Sequence, residues 1–136
     1  MPGFRAADPD FEARVRKSFE LQTAMKTIGA SLARVAPGEV DVELRFRDDL
    51  SQQHGFVHGG LVTAIVDSAC GYAALTLMPA GAAVLTVEYK VNFLAPARGE
   101  RFIARGRVTK PGRVLTVCTG EVVAVNSGLE NDAAVI

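Results

Sequence analysis

Cysteine is scarce in this sequence. Its two thiols, Cys70 and Cys118, stand far apart and outside any CxxC pair, which argues against a disulfide framework and a zinc site. A reduced, cytoplasmic setting is the expectation. An excess of one charge sign is also missing: 15 Lys and Arg face 15 Asp and Glu, for a net charge of zero. No long block of either sign breaks this balance, so the footprint of a nucleic-acid or anionic-membrane binder is absent. The expected partner is a small molecule or another protein. The N-terminal stretch MPGFRAADPDFEARVRK lacks the apolar segment of a secretory signal, and its acidic residues oppose a transit peptide, so no export is expected. Long apolar runs are nearly absent. Only Leu61 to Met78 approaches spanning length. Asp67 would cost about 3 kcal/mol near the middle of an inserted helix, and Gly71 weakens the run further, so it reads as a buried helix of a soluble protein.

What is present fits one domain. A chain of 136 residues with 49% hydrophobic content can bury roughly two-thirds of the surface its unfolded form exposes, and its composition is not that of a disordered segment. Asp8-Pro9 signals a helix start. Phe11, Val15, Phe19, Leu21 and Met25 then place an amphipathic helix over about 9–27, ended by Gly29. Residues 28–36 read as a short strand and Pro37-Gly38 as a turn. Val40, Val42, Leu44 and Phe46 alternate with charged residues, the pattern of a half-buried strand. Residues 48–57 lose the period and read as a loop. An enclosed helix follows from about His58 to Leu77. Alternation from Leu85 to Phe93 predicts a long strand closed by Pro96 and Gly99. Further strands are expected over about 100–110 and 113–126, joined at Pro111-Gly112, with a short last strand starting in NDAAVI. The sum is an α+β domain, an antiparallel sheet with its helices on one face.

The candidate site lies in QQHGFVHGGLVTAIVDSACGYAAL, residues 52–75. An aspartate on a buried helix can simply be satisfied by a neighbouring hydroxyl or amide. Its company suggests more. His58-Gly59-Gly60 stands where the helix begins, so unpaired amides at the positive end of the dipole are left uncovered by side chains. A backbone donor at the helix start and a carboxylate further along are the elements needed to hydrolyse an ester or thioester. They do not meet on one helix. Asp67 follows His58 by nine residues, which at ~100° per residue is roughly 900°, half a turn out of phase, with an axial rise of ~13 Å. If donor and carboxylate cooperate, they come from two subunits across a symmetric interface.

These residues carry a resemblance. HGFVHGG followed by AIVD, then LTVEYKVNFLAPA and GRVLTV, is similar to the hotdog-fold acyl-CoA thioesterases of the PaaI-like branch, over about residues 28–126. The resemblance implies a hotdog fold, an antiparallel sheet wrapped around a central helix. It also implies a homodimer with a continuous sheet, usually paired into a homotetramer, and two sites per dimer between subunits. By position, Asp67 matches the family's catalytic carboxylate, acting as nucleophile or as base for water. Gly59 matches the residue whose N–H polarises the thioester carbonyl. His58 is expected to hold the loop. Gln52, or Gln53 if the register slips by one, falls where relatives orient the carbonyl or water, and Thr86 falls where some carry a hydroxyl. Gly60 is grouped with the substrate contacts.

Coenzyme A brings phosphates, for which Arg98, Lys110 and Arg113 are the basic candidates, with Gly112 allowing close backbone approach. Tyr72, Leu75 and Phe93 read first as core residues and second as candidates for an acyl tunnel. His54 and His58 lack a convincing third ligand for a metal. The expectation is therefore an acyl- or aryl-CoA thioesterase that needs no cofactor. The alternatives are a hotdog hydratase or dehydratase, whose proline-rich HFPxxPxxPG segment is absent here, and a non-catalytic acyl-CoA binder or sensor.

Overall fold

The apolar stripe of the N-terminal segment buries Val15, Phe19 and Met25, but it is not carried by one helix. The computed structural model describes residues 3–136; Met1 and Pro2, the first residues of the stretch read above for a leader, lie outside the described residues. Helix α1 spans Phe11–Leu21 and helix α2 Thr23–Ile28. The break falls at Gln22, whose backbone leaves the helical region at ψ 89° and whose N–H returns to Phe19 O. Side-chain periodicity cannot register a single-residue break, because the stripe resumes nearly in phase. The helix start also shifts, from Asp8-Pro9 to Phe11, because Asp8 is used otherwise: its Oδ1 accepts from the Asp10 N–H and its carboxylate pairs with Arg14 at 3.3 Å. Gly29 ends α2 in the left-handed conformation at φ 79°, as a C-terminal glycine does.

Strands β1 (Ala30–Ala36) and β2 (Glu39–Arg45) form the expected hairpin, with Ile28 absorbed into α2. A short 3₁₀ turn, Asp48–Leu50, interrupts the loop before α3 (Gly59–Leu75). The remaining strands are β3 (Asn92–Phe93), β4 (Arg101–Lys110), β5 (Val117–Asn126) and β6 (Leu129–Val135). All pairings are antiparallel, in the order β1-β2-β4-β5-β6-β3.

The sheet curves around α3, whose Val62, Ile65, Val66, Ala69 and Ala73 are all but inaccessible. Two glycines set how closely helix and sheet approach. A Cβ on Gly106 of β4 would lie 2.4 Å from the carbonyl of Ala69, and one on Gly120 of β5 would lie 2.7 Å from Val66 Cγ2. The far end of α3 is fastened twice. Thr76, fully buried, donates to Ala73 O and accepts from the Gly38 N–H at the β1–β2 turn. Arg14 donates to the carbonyls of Leu75, Met78 and Pro79, closing the orphan acceptors at that end.

Three sequence expectations need correction. The alternating run from Leu85 to Phe93 forms ladder bonds only at Asn92 and Phe93, which pair with Val135 and Ala134. The chain lays no strand beside residues 84–91, and alternation without a partner is not a sheet. The edges of the run are therefore open, with Leu85 87% and Val87 74% exposed, while Val84 and Val91 pack partly against the core. Strand β5 starts at Val117 rather than Arg113, because residues 111–116 are spent on the hairpin and Gly112 packs against Leu115 O. The last strand is longer than NDAAVI suggests and begins at Leu129, straight after the turn at Ser127-Gly128.

Candidate active site

At the start of α3 the backbone donors are sorted. His58 is the N-cap, and its Nδ1 accepts from the Gly60 N–H at 2.9 Å. An accepting Nδ1 carries no proton, so the imidazole is held with its hydrogen on Nε2. His58 thus serves the loop, and the Gly60 amide is consumed by that cap, so any substrate contact at Gly60 falls to its bare Cα rather than to its N–H. Leu61 and Val62 bond back to His58 O. The Gly59 N–H alone finds no acceptor among the described residues.

Gln52 stands beside it. Its Oε1 accepts from the backbone N–H groups of His54 (2.6 Å) and Phe56 (3.3 Å), which fixes which end of the amide is which and leaves Nε2 as the unused donor. Gln52 and Gly59 line one cavity of about 450 Å3 with Val62, Phe93 and Ala97. A Cβ on Gly59 would meet the Phe93 ring at 3.1 Å, so a side chain there would be pressed against that wall. Gln53 and His54 are exposed and do not line this cavity. Among the described residues no three His, Cys, Asp or Glu side chains cluster as metal ligands.

Asp67 is elsewhere. Half-buried on α3, it accepts from the Thr86 hydroxyl at 2.7 Å on Oδ1, leaving Oδ2 free. It lines two cavities, of about 530 Å3 and about 200 Å3, neither of which includes Gln52 or Gly59. The phase argument anticipates this separation. Thr86 belongs to the unpaired 84–91 segment, so the carboxylate is held by a segment outside the ladder.

The basic candidates divide in the same way. Arg98 lies over the Phe56 ring, 5.0 Å from its centre, next to the Gln52 and Gly59 cavity. Lys110 and Arg113 are exposed at the β4–β5 hairpin, whose Val114 and Leu115 reach the smaller Asp67 cavity. Gly112 donates weakly to Thr116 Oγ1 and shapes that turn. Tyr72 and Leu75 line the larger Asp67 cavity, and Phe93 lines the Gly59 one. Sequence reasoning missed Ser18, Gln22 and Ser68, which share the larger cavity with Asp67. A signal was there: Arg14, Ser18 and Gln22 recur every four residues, a polar stripe beside the apolar one.

The cysteines are not nucleophiles here. Burial pushes the Cys70 thiol up to about 12, with Cys118 and Asp67 adding to the effect, and burial pushes Cys118 up to about 11. At pH 8 both stay protonated, so iodoacetamide should alkylate the native protein at least about 100-fold more slowly than the urea-unfolded chain. Mass-spectrometric time courses check this. The same shifts imply that stability falls as pH rises above about 9, where only the unfolded chain's thiols ionise.

An antiparallel sheet closed around one long helix, with a glycine amide at the helix start and a carboxylate further along it, defines the hotdog thioesterase class. Comparison with known proteins agrees. The thioesterase superfamily model matches residues 54–130, and the chain belongs to that family. A thioesterase family protein from Silicibacter pomeroyi is 50% identical, with a TM-score of 0.90 over 92% of each chain. Human acyl-coenzyme A thioesterase 13 is 30% identical over 86 residues, 62% of this chain and 61% of that protein. The Escherichia coli PaaI protein from the phenylacetic acid degradation operon shares the fold at TM-score 0.82 and 20% identity, over 93% of this chain and 88% of that one. The protein is a hotdog-fold member of the thioesterase superfamily, a thioester hydrolase. None of its helices is long and apolar enough to cross a membrane among the described residues.

Proposed function

We propose that the substrate is an acyl- or aryl-CoA and that each active site is shared between two subunits. The carrying observation is the arrangement on α3: the free Gly59 amide and the Asp67 carboxylate open into separate cavities on opposite sides of one helix. A second copy supplies what each half lacks. The uncovered edge at residues 84–91, with Leu85, Val87 and Tyr89 exposed, is the surface such a copy would cover by continuing the sheet. Pairing of two dimers into a homotetramer and a cytoplasmic setting belong to the same reading.

In the shared site the thioester carbonyl oxygen accepts from the Gly59 N–H and from Gln52 Nε2. A well-placed donor of this kind is worth about 3 kcal/mol in the transition state. The partner subunit contributes a carboxylate steadied by the Thr86 hydroxyl. It either attacks the carbonyl carbon, expelling the CoA thiolate and leaving an anhydride for water to open, or takes a proton from the water that attacks. Both routes consume one water and yield free acid and CoA. Neither needs a metal or redox cofactor. Arg98, Lys110 and Arg113 are the proposed phosphate contacts, with Gly112 keeping the hairpin backbone approachable.

Subunit mixing tests the shared site. Asp67→Asn and Gln52→Ala homodimers should each be nearly inactive. After exchange, half the dimers are mixed and each has one intact site, so activity should recover to about a quarter of wild type. No recovery despite demonstrated exchange would place both residues in one subunit's site and end the proposal.

A further inference from the structure

The outermost strand carries a charge pattern that no contact within the chain uses. Strand β3 ends the order β1-β2-β4-β5-β6-β3, and β6 takes one edge of Asn92 and Phe93. The other edge has no neighbour among the described residues. Just before it, Glu88 and Lys90 stand two residues apart, both exposed. Neither joins any ion pair formed among the described residues. Opposite charges flanking one residue are self-complementary. When two copies pair antiparallel about a two-fold axis, residues equally far before and after the axis lie opposite one another.

Facing residues share a side of the sheet, so the axis passes through a residue rather than between two. An axis at Glu88 sets that carboxylate against its own copy, and one at Lys90 sets ammonium against ammonium. Like charges directly opposite are destabilising. An axis at Tyr89 sets Glu88 against the partner's Lys90, and by symmetry does so twice. Independently of the charges, the same register completes the site. It lays Thr86, which donates to Asp67 Oδ1 at 2.7 Å, opposite the partner's Asn92 and beside the partner's Phe93. The Phe93 ring lies against the start of α3, where a Cβ on Gly59 would be 3.1 Å from it. An axis at Val87 sets Thr86 opposite the partner's Glu88, well short of Phe93. One at Val91 sets it opposite the partner's Pro96, which has no N–H to give.

Resting on the shared-site reading above, we propose that a second copy of this chain pairs along this edge in one register, with Tyr89 on the two-fold axis and Glu88 against the partner's Lys90. Asp67 and Gly59 open to opposite sides of one helix. This register carries the Asp67 end of one copy to the Gly59 end of the other, and the charges on the edge select it.

Cysteine cross-linking tests the register. Across the axis the two Tyr89 Cα atoms lie about 4.5–5.5 Å apart, inside the range a disulfide spans. Under copper-phenanthroline oxidation Tyr89→Cys should become mostly covalent dimer, reversed by dithiothreitol, while the wild type, with only Cys70 and Cys118, should not. Glu88→Cys alone and Lys90→Cys alone should not cross-link either, since each is about 8 Å from its own counterpart. Mixed after subunit exchange, those two variants should cross-link to each other, which serves if Tyr89→Cys does not fold. Charge reversal is the second arm. Glu88→Lys should weaken dimerisation by about tenfold in sedimentation, and adding Lys90→Glu should restore it to within about threefold. Dimers that share activity between subunits but cross-link through Glu88→Cys alone or Lys90→Cys alone overturn the register while the shared-site reading stands. A fully active monomer overturns both.

Discussion

Replacing Asp67 by Asn should lower kcat/KM on acyl-CoA substrates by about 10²- to 10⁴-fold, the range that a positioned general base or nucleophile supplies. The fold should be untouched. Asp67 is half-exposed, and its hydrogen-bond partner is the Thr86 hydroxyl at 2.7 Å, which can donate to an amide oxygen as well as to a carboxylate. Melting temperature should therefore stay within a degree or two while turnover collapses. Steady-state assays with thiol detection, paired with calorimetry of the same preparations, measure both. Turnover within threefold of wild type would show that the carboxylate takes no part in the chemistry. A large loss of melting temperature would mean instead that its role is to hold the 84–91 segment against α3.

The largest effect on stability should come from a residue without a side chain. Gly106→Val forces a Cβ to within 2.4 Å of the Ala69 carbonyl and 2.5 Å of the Cys70 nitrogen. Those atoms are helix backbone and cannot swing aside. Helix and sheet must part, which costs at least about 3 kcal/mol, the upper end of core overpacking. The melting temperature should fall by about 10 °C or more, or the variant should fail to accumulate as folded protein. Gly120→Ala should be milder, since its added carbon meets the movable ends of Val66 and Cys70. Gly3→Val, with nothing within 4 Å of the added carbon, is the control and should melt as wild type does. Thermal denaturation of the three variants decides it; a Gly106→Val protein as stable as the control would mean that helix and sheet are less closely seated than described.

Much of the site was readable from spacing because a helix is a rigid ruler. Nine residues from His58 to Asp67 fix a half-turn offset whatever the helix packs against, and the structure does open the two ends into different cavities. That His58 holds the loop was implied by the family resemblance; that it does so as the helix cap, through Nδ1, is seen only in the structure. What spacing cannot tell is which amide is left over. Gly59 and Gly60 are equivalent on paper. The loop's path through Gln52, His54 and Phe56 brings His58 Nδ1 to Gly60 and leaves Gly59 free.

The fold divides along the same line. Periods of two and of 3.6 are local properties, so the sequence by itself determined which faces are apolar and, outside residues 85–91, which segments become strands or helices. It placed the enclosed helix at about residues 58–77 against an observed Gly59–Leu75. Pairing and close approach are non-local. Gln22 at the helix break meets a serine 46 residues away on α3, residues 84–91 stay without a ladder because no strand of this chain lies beside them, and Gly106 matters only because Ala69 is laid across it. The polar group of Ser18, Gln22, Ser68 and Tyr72 is of the same kind. Only tertiary structure could assemble it: the four-residue recurrence of Arg14, Ser18 and Gln22 marks a polar stripe, but which side chains of the other helix that stripe meets is set by packing.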